Sequence, residues 1–261
     1  MFIKKFGMIL ILILVAGLLF FFSYSKKEEE VLYESPQKYI GNNAFSLAFS
    51  PKELNEHVIE EAIKRQKEEE RQAMIQAYGL HLSTYPLDID SREFQLIKRL
   101  IEIAQSEPEI AEDEKGVTKY GTYFHEPRAE WCTEFVLWCE IQAEEEVYPE
   151  EEIDLYPRYT NSDMCIYYYH LKKTYFKRET IIPRAGDMIF FDTNSDGYTD
   201  HTGLITYIEK DEETGGIQIH TIEGNIPGDR PSNCIREKVY PASDPHILGF
   251  GTFIPEQENS E

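Results

Sequence analysis

Trp131-Cys132-Thr133-Glu134-Phe135-Val136-Leu137-Trp138 sets a cysteine at the opening of an amphipathic helix, predicted over residues 132–144. The first turn of a helix leaves backbone N–H groups unpaired, and the positive end of the helix dipole favours the reactive thiolate over the thiol. The same N–H groups can receive a developing oxyanion. A cysteine in such a place is, taken alone, more often core than catalyst, because Phe135, Val136 and Cys139 lie on nearby faces.

The residues that follow change that balance. Asp200-His201-Thr202-Gly203 leads into the apolar run Leu204, Ile205, Thr206, Tyr207, Ile208, and Thr221-Ile222-Glu223-Gly224-Asn225 comes after it. A thiolate nucleophile needs an imidazole to take its proton and return it to the leaving group, and the imidazole needs a polar partner to fix its tautomer. His201 is expected at the mouth of one strand and Glu223 at the end of the next, over 216–222. Two adjacent antiparallel strands would then present both side chains to a helix packed on their sheet.

In these blocks the chain resembles the CHAP family of cysteine- and histidine-dependent amidohydrolases and peptidases, which are papain-like peptidoglycan hydrolases. The likeness rests on four blocks: Lys119-Tyr120-Gly121, the Trp131-Cys132 helix start, the run Pro183-Arg184-Ala185-Gly186-Asp187-Met188-Ile189-Phe190-Phe191 before Asp200-His201, and Ile222-Glu223-Gly224-Asn225. The resemblance implies Cys132 as nucleophile, His201 as general base and then acid, Glu223 as the group orienting His201, and Asn225 as a further polar residue near the site. Tyr120 and Trp131 are the residues it suggests for contact with substrate. Thr133-Glu134 stands where the family usually has a small residue after the cysteine, and residues 126–130 are acidic where it is often glycine-rich.

The amino-terminal part points to a compartment. Lys4-Lys5 precedes an uncharged run over residues 6–22, which as a helix at about 1.5 Å per residue spans about 25 Å and nearly crosses a bilayer. No clear small-residue cleavage pattern follows it. Residues 1–25 are therefore expected to form an uncleaved signal anchor, single-pass in the cell membrane, with the remainder outside the cytoplasm; secretion after signal cleavage is the alternative. The formal charge is −22 over 261 residues, with 48 acidic against 26 basic side chains. Such a surface repels phosphate backbones and disfavours a nucleic-acid partner.

Residues 26–89 are expected to hold a linker and a charged stalk helix. Ser50-Pro51-Lys52-Glu53 carries the signature of a helix start, and the helix runs to about Tyr78 before Gly79. Its middle is almost entirely polar, which suits a solvated stalk or a surface for an envelope protein partner. A catalytic domain over 90–256 should open at Asp90-Ser91, followed by an amphipathic helix over 93–106 with Phe94, Ile97, Leu100, Ile101 and Ile103 inward. Another helix is predicted over 162–173, and strands near 187–192, 202–210, 216–222, 234–240 and 247–253. Helices first and antiparallel strands after give an α+β class, which the resemblance specifies as a papain-like fold; residues 257–261 read as a disordered tail.

Two further features carry chemistry. Asp192, Asn194, Asp196, Gly197, Tyr198 and Asp200 match the first half of a calcium loop, with the Tyr198 carbonyl as one ligand, but Gly203 stands where the closing glutamate belongs; an acidic turn explains the same residues. No cofactor is otherwise required. Of the four cysteines, Cys165 and Cys234 are the pair free to form a disulfide, which sequence alone leaves open. Function at this level is a membrane-anchored cysteine amidase or endopeptidase cleaving peptidoglycan amides, with a non-hydrolytic envelope binding module on the same fold as the alternative.

Overall fold

The computed structural model describes residues 51–85, 87–149, 155–227 and 233–253. The expected anchor, the linker up to residue 50 and the tail at 257–261 lie outside the described residues. Among the described residues no helix is long and apolar enough to cross a membrane. The chain divides into two compact units, Met1–Arg65 and Gln66–Glu261. Helix α1 (Pro51–Ala77) supplies the described part of the first unit, where Val58, Ile59 and Ile63 are exposed.

In the second unit, the last turns of α1 are not a free stalk. Met74, Ile75 and Tyr78 pack against Leu80, Ile89 and Phe94, and the Tyr78 and Phe94 rings meet edge to face at 5.5 Å. Helix α2 (Arg92–Ser106) begins where expected, because the Ser91 side chain accepts a hydrogen bond from the Phe94 N–H at 3.1 Å and caps it. Its apolar stripe, Phe94, Ile97, Leu100, Ile101 and Ile103, is buried. Helix α3 (Lys119–Tyr123) is a single short turn of chain capped by Thr118. It precedes α4 (Cys132–Val147) and α5 (Ser162–Lys172), the latter capped by Asn161.

The strands are β1 (Tyr175–Lys177), β2 (Met188–Phe191), β3 (His201–Lys210), β4 (Ile217–Ile226), β5 (Cys234–Pro241) and β6 (Ile247–Gly251). They form one antiparallel sheet in the order β1-β6-β2-β3-β4-β5, which makes the domain α+β. Alternation along the strands sends Met188, Phe190, Leu204 and Ile222 into the main core with α2 and α4. Ile189, Phe191, Ile205, Ile219 and Phe250 enter a second cluster on the other face.

Two differences from the sequence reading have physical causes. β1 was not anticipated: Tyr175 and Phe176 are half-buried, Lys177 is exposed, and pairing with β6 alone makes them a strand. β4 does not stop before Glu223 but continues to Ile226, with its ladder to β5 shifting register between Glu223 and Ile226. The Cys165–Cys234 bridge that the sequence leaves open is not formed. Cys165 donates to the Tyr159 carbonyl at 3.1 Å and Cys234 to the Ile226 carbonyl at 3.2 Å, so each thiol is satisfied within its own neighbourhood.

Two tight approaches join the layers. The Arg184–Asp187 turn is clamped by the Asp187 carboxylate, which accepts from the Arg184 N–H at 2.8 Å and the Thr252 hydroxyl at 3.1 Å. At Gly224 an added Cβ would lie 2.7 Å from the Trp131 ring and 2.8 Å from the Phe135 Cβ, so α4 seats on β4 only because that residue has no side chain. Gly224→Ala should therefore push the start of α4 off the sheet and destabilise the domain by about 1–3 kcal/mol, read as a lowered denaturation midpoint.

Candidate active site

Cys132 is the first residue of α4, and Trp131 at the N-cap makes no side-chain cap hydrogen bond. The first helical bond runs from the Phe135 N–H to the Trp131 carbonyl at 3.0 Å. The N–H groups of Cys132, Thr133 and Glu134 therefore have no acceptor within the helix, and they surround the base of the thiol. Cys132 keeps 7% of its surface exposed, and its Sγ lies 3.9 Å from the Thr133 hydroxyl oxygen.

His201 opens β3, paired with Phe191 of β2, and its ring stacks on the Phe191 ring at 5.8 Å. Its Nε2 lies 3.0 Å from Glu223 Oε2. Cys132 lies close enough to the ring to act on its charge, and with Nε2 facing Glu223, Nδ1 is the nitrogen left for the sulfur. Burial of the imidazole opposes its charging, but the Cys132 and Glu223 side chains outweigh burial and raise its pKa to about 9. Glu223 is fully buried. Its Oε1 accepts from the Thr221 hydroxyl, and Oε2 also accepts from the Tyr240 hydroxyl at 3.3 Å.

The histidine and glutamate stand on the sheet face opposite to the one expected. An added Cβ on Gly203 would lie 2.6 Å from Glu223 Cγ and 3.5 Å from Ile189, which places Glu223 with the second cluster rather than under α4. Strand parity does the same for His201, a neighbour of Phe191. His201 nevertheless meets Cys132 because it is the terminal residue of its strand, so its ring sits at the end of the sheet beside the first turn of the helix.

Residues 123–225 match the family model of the CHAP domain. That segment carries a CHAP domain. No curated protein and no solved structure matches it. The matched segment holds Cys132, His201, Glu223 and Asn225 and runs from the end of α3 to the bulge of β4. CHAP domains are in general hydrolases of amide bonds, amidases or peptidases.

The remaining expected site residues of this CHAP domain fall elsewhere. Asn225 lies in the β4 bulge with φ of 60°, and its Oδ1 accepts from Asn233 Nδ2 at 2.6 Å, a bond across to the start of β5. Tyr120 and Trp131 are 0% and 1% exposed, with their rings stacked at 5.5 Å. The Tyr120 hydroxyl donates to Glu107 at 2.6 Å, and burial beside that carboxylate raises its pKa. In this arrangement neither ring has surface to offer a substrate; together they support the helix start from below.

The acidic loop is organised by its own backbone. Asp192 accepts from the Asp196 and Gly197 N–H groups at 3.0 and 2.9 Å, Asn194 from Asp196 at 2.9 Å, and Asp196 from Tyr198 at 2.9 Å. Asp200 accepts from the Thr193 N–H and hydroxyl and the Asn194 N–H, and these bonds outweigh desolvation to hold its pKa below the usual range. Among the described residues no group of three or more His, Cys, Asp or Glu side chains is placed to hold a metal ion. Asp192, Asn194, Asp196, Tyr198 and Asp200 form the turn that delivers His201.

Two residues escaped the sequence reading. Tyr240, from β5, touches Glu223 by a pairing that no local motif signals. Glu134 is fully buried in the first turn of α4 with no hydrogen-bond partner for either oxygen, and burial with Glu126 nearby raises it to about 7. Its only trace in the sequence is an acid where the family has a small residue.

The folded pKa of His201 lies above the unfolded value of about 6.5. The stabilisation from its charged ring is therefore complete below about pH 6.5 and is lost as pH rises through about 9. An NMR titration should show the His201 imidazole ionising near 9, and Glu223→Gln should move that midpoint lower.

Proposed function

We propose that this chain is a membrane-tethered cysteine amidase or endopeptidase that cleaves amide bonds of peptidoglycan outside the cytoplasm. The observation that carries the reading is the His201 ring held between Glu223 at 3.0 Å and the Cys132 thiol at an uncapped helix start. The CHAP domain supports the amide-hydrolase class and the envelope substrate.

In the proposed reaction, His201 holds the proton released by Cys132, leaving a thiolate beside an imidazolium. The sulfur attacks the amide carbonyl carbon, forming the carbon–sulfur bond while the carbonyl π electrons move to oxygen. The unpaired N–H groups of the α4 first turn are the donors nearest that oxyanion. Collapse of the intermediate breaks the carbon–nitrogen bond as His201 gives its proton to the departing amine. Water, deprotonated by the same imidazole, then cleaves the thioester and restores the thiol. Glu223 keeps the ring oriented and favours its charged form; Thr221 and Tyr240 hold Glu223 in turn.

The uncharged run at residues 6–22 supports the tether. With a net charge of −22 the chain has no general attraction to an anionic envelope, so an anchor is the physical means of keeping it near its substrate.

The full chain should release fragments from purified peptidoglycan, identifiable by mass as cut at the sugar–peptide amide or within the peptide. Cys132→Ala should lower that rate about a thousandfold or more with an unchanged melting temperature. Retained cleavage would overturn the assignment of the nucleophile. Deleting residues 1–25 should move the protein from the membrane fraction to the soluble fraction, and a soluble full-length chain would overturn the tether.

A further inference from the structure

Four large side chains that a solvated surface has no need to display stand together near the site. Tyr198 is 68% exposed, Tyr167 54%, Tyr159 46% and Met164 40%. Met164 and Tyr167 are one turn apart on α5, Tyr159 immediately precedes that helix, and Tyr198 sits in the turn before His201. The Thr199 N–H donates to Asp163 Oδ1 at 3.3 Å, which ties the His201 turn to the first turn of α5. Tyr167 lies four residues beyond Asp163, on the same helix face.

The same segment also reaches the other side of the reacting pair. Cys165 donates to the Tyr159 carbonyl, and beyond its burial and Glu140 the nearby Cys132 also raises its pKa, which places this segment beside the sulfur of Cys132. Residues 159–167 thus border the surroundings of both Cys132 and His201.

We propose that Tyr198 and Tyr167, with Tyr159 and Met164 beside them, form a stacking platform for the sugar rings of a glycan strand next to the Cys132–His201 pair. Flat ring faces with hydroxyl edges suit the apolar C–H faces and hydroxyl rims of N-acetylated pyranoses. The rings carry no charge, while the exposed carboxylates beside them, Asp163, Asp196 and Asp200, and the chain as a whole are negative. An uncharged sugar backbone meets no repulsion there, whereas nucleic acid or an anionic bilayer would. The proposal rests on the envelope reading above and extends it: the enzyme grips the glycan on the α5 side, and the scissile amide lies over Cys132.

The test needs no amide cleavage. The full chain in detergent, carrying Cys132→Ala, is titrated with a soluble β-linked N-acetylglucosamine hexamer, with binding read by calorimetry and by tyrosine fluorescence. Binding should saturate, and Tyr198→Ala or Tyr167→Ala should each weaken it about tenfold while leaving the melting temperature unchanged, because both rings are exposed. No binding by the Cys132→Ala parent, or equal binding by the tyrosine variants, overturns the platform. Sugar binding together with no hydrolysis of any peptidoglycan by the wild-type chain would leave the platform standing and remove the proposed function. Hydrolysis without sugar binding would do the reverse.

Discussion

The contact between His201 and Glu223 is the constraint on which the rest of the site depends. A buried imidazole is ordinarily held neutral, and a buried carboxylate without partners is costly. Side by side at 3.0 Å, each removes the other's penalty, and the ring becomes a group that keeps its proton at neutral pH. That property is what a cysteine requires of its neighbour if sulfur is to exist as thiolate. Thr221 and Tyr240 complete the shell, so the carboxylate oxygens keep partners whatever the ring does.

The sheet is shaped around this contact. Gly203 leaves space for the Glu223 side chain, and Gly224, the next residue on β4, leaves space for Trp131 and Phe135 on the opposite face. Successive residues of one strand thus serve two purposes: one seats the histidine partner, the other seats the nucleophile helix. The acidic turn at 192–200 closes on its own N–H groups and brings His201 to the end of β3, where the sheet edge and the helix start meet. Tyr120 and Trp131 stack beneath that start and give it a rigid floor.

Glu134 stands apart from this economy of partners. Its carboxyl is buried without a hydrogen bond in the first turn of α4. A proton on that carboxyl relieves the burial, in keeping with its rise to about 7. A small residue would have avoided the problem, and nothing in the described contacts explains the acid.

Much was legible in the residues alone. The apolar spacing of Phe94, Ile97, Leu100 and Ile101 and the Ser91 cap defined α2, and alternating apolar runs located five of the six strands. Local chemistry sufficed there because helix period, capping and strand alternation are properties of neighbouring residues. The order of Cys132, His201 and Glu223 likewise named three residues that the structure brings together. Only the tertiary structure decided which sheet face carries His201 and Glu223, that Tyr120 and Trp131 are buried, that Asn225 pairs with Asn233 across a bulge, and that Cys165 and Cys234 remain apart. Each of those outcomes depends on strand register and on how one layer seats on another. Those are set by contacts between residues far apart in the chain, and no local pattern encodes them.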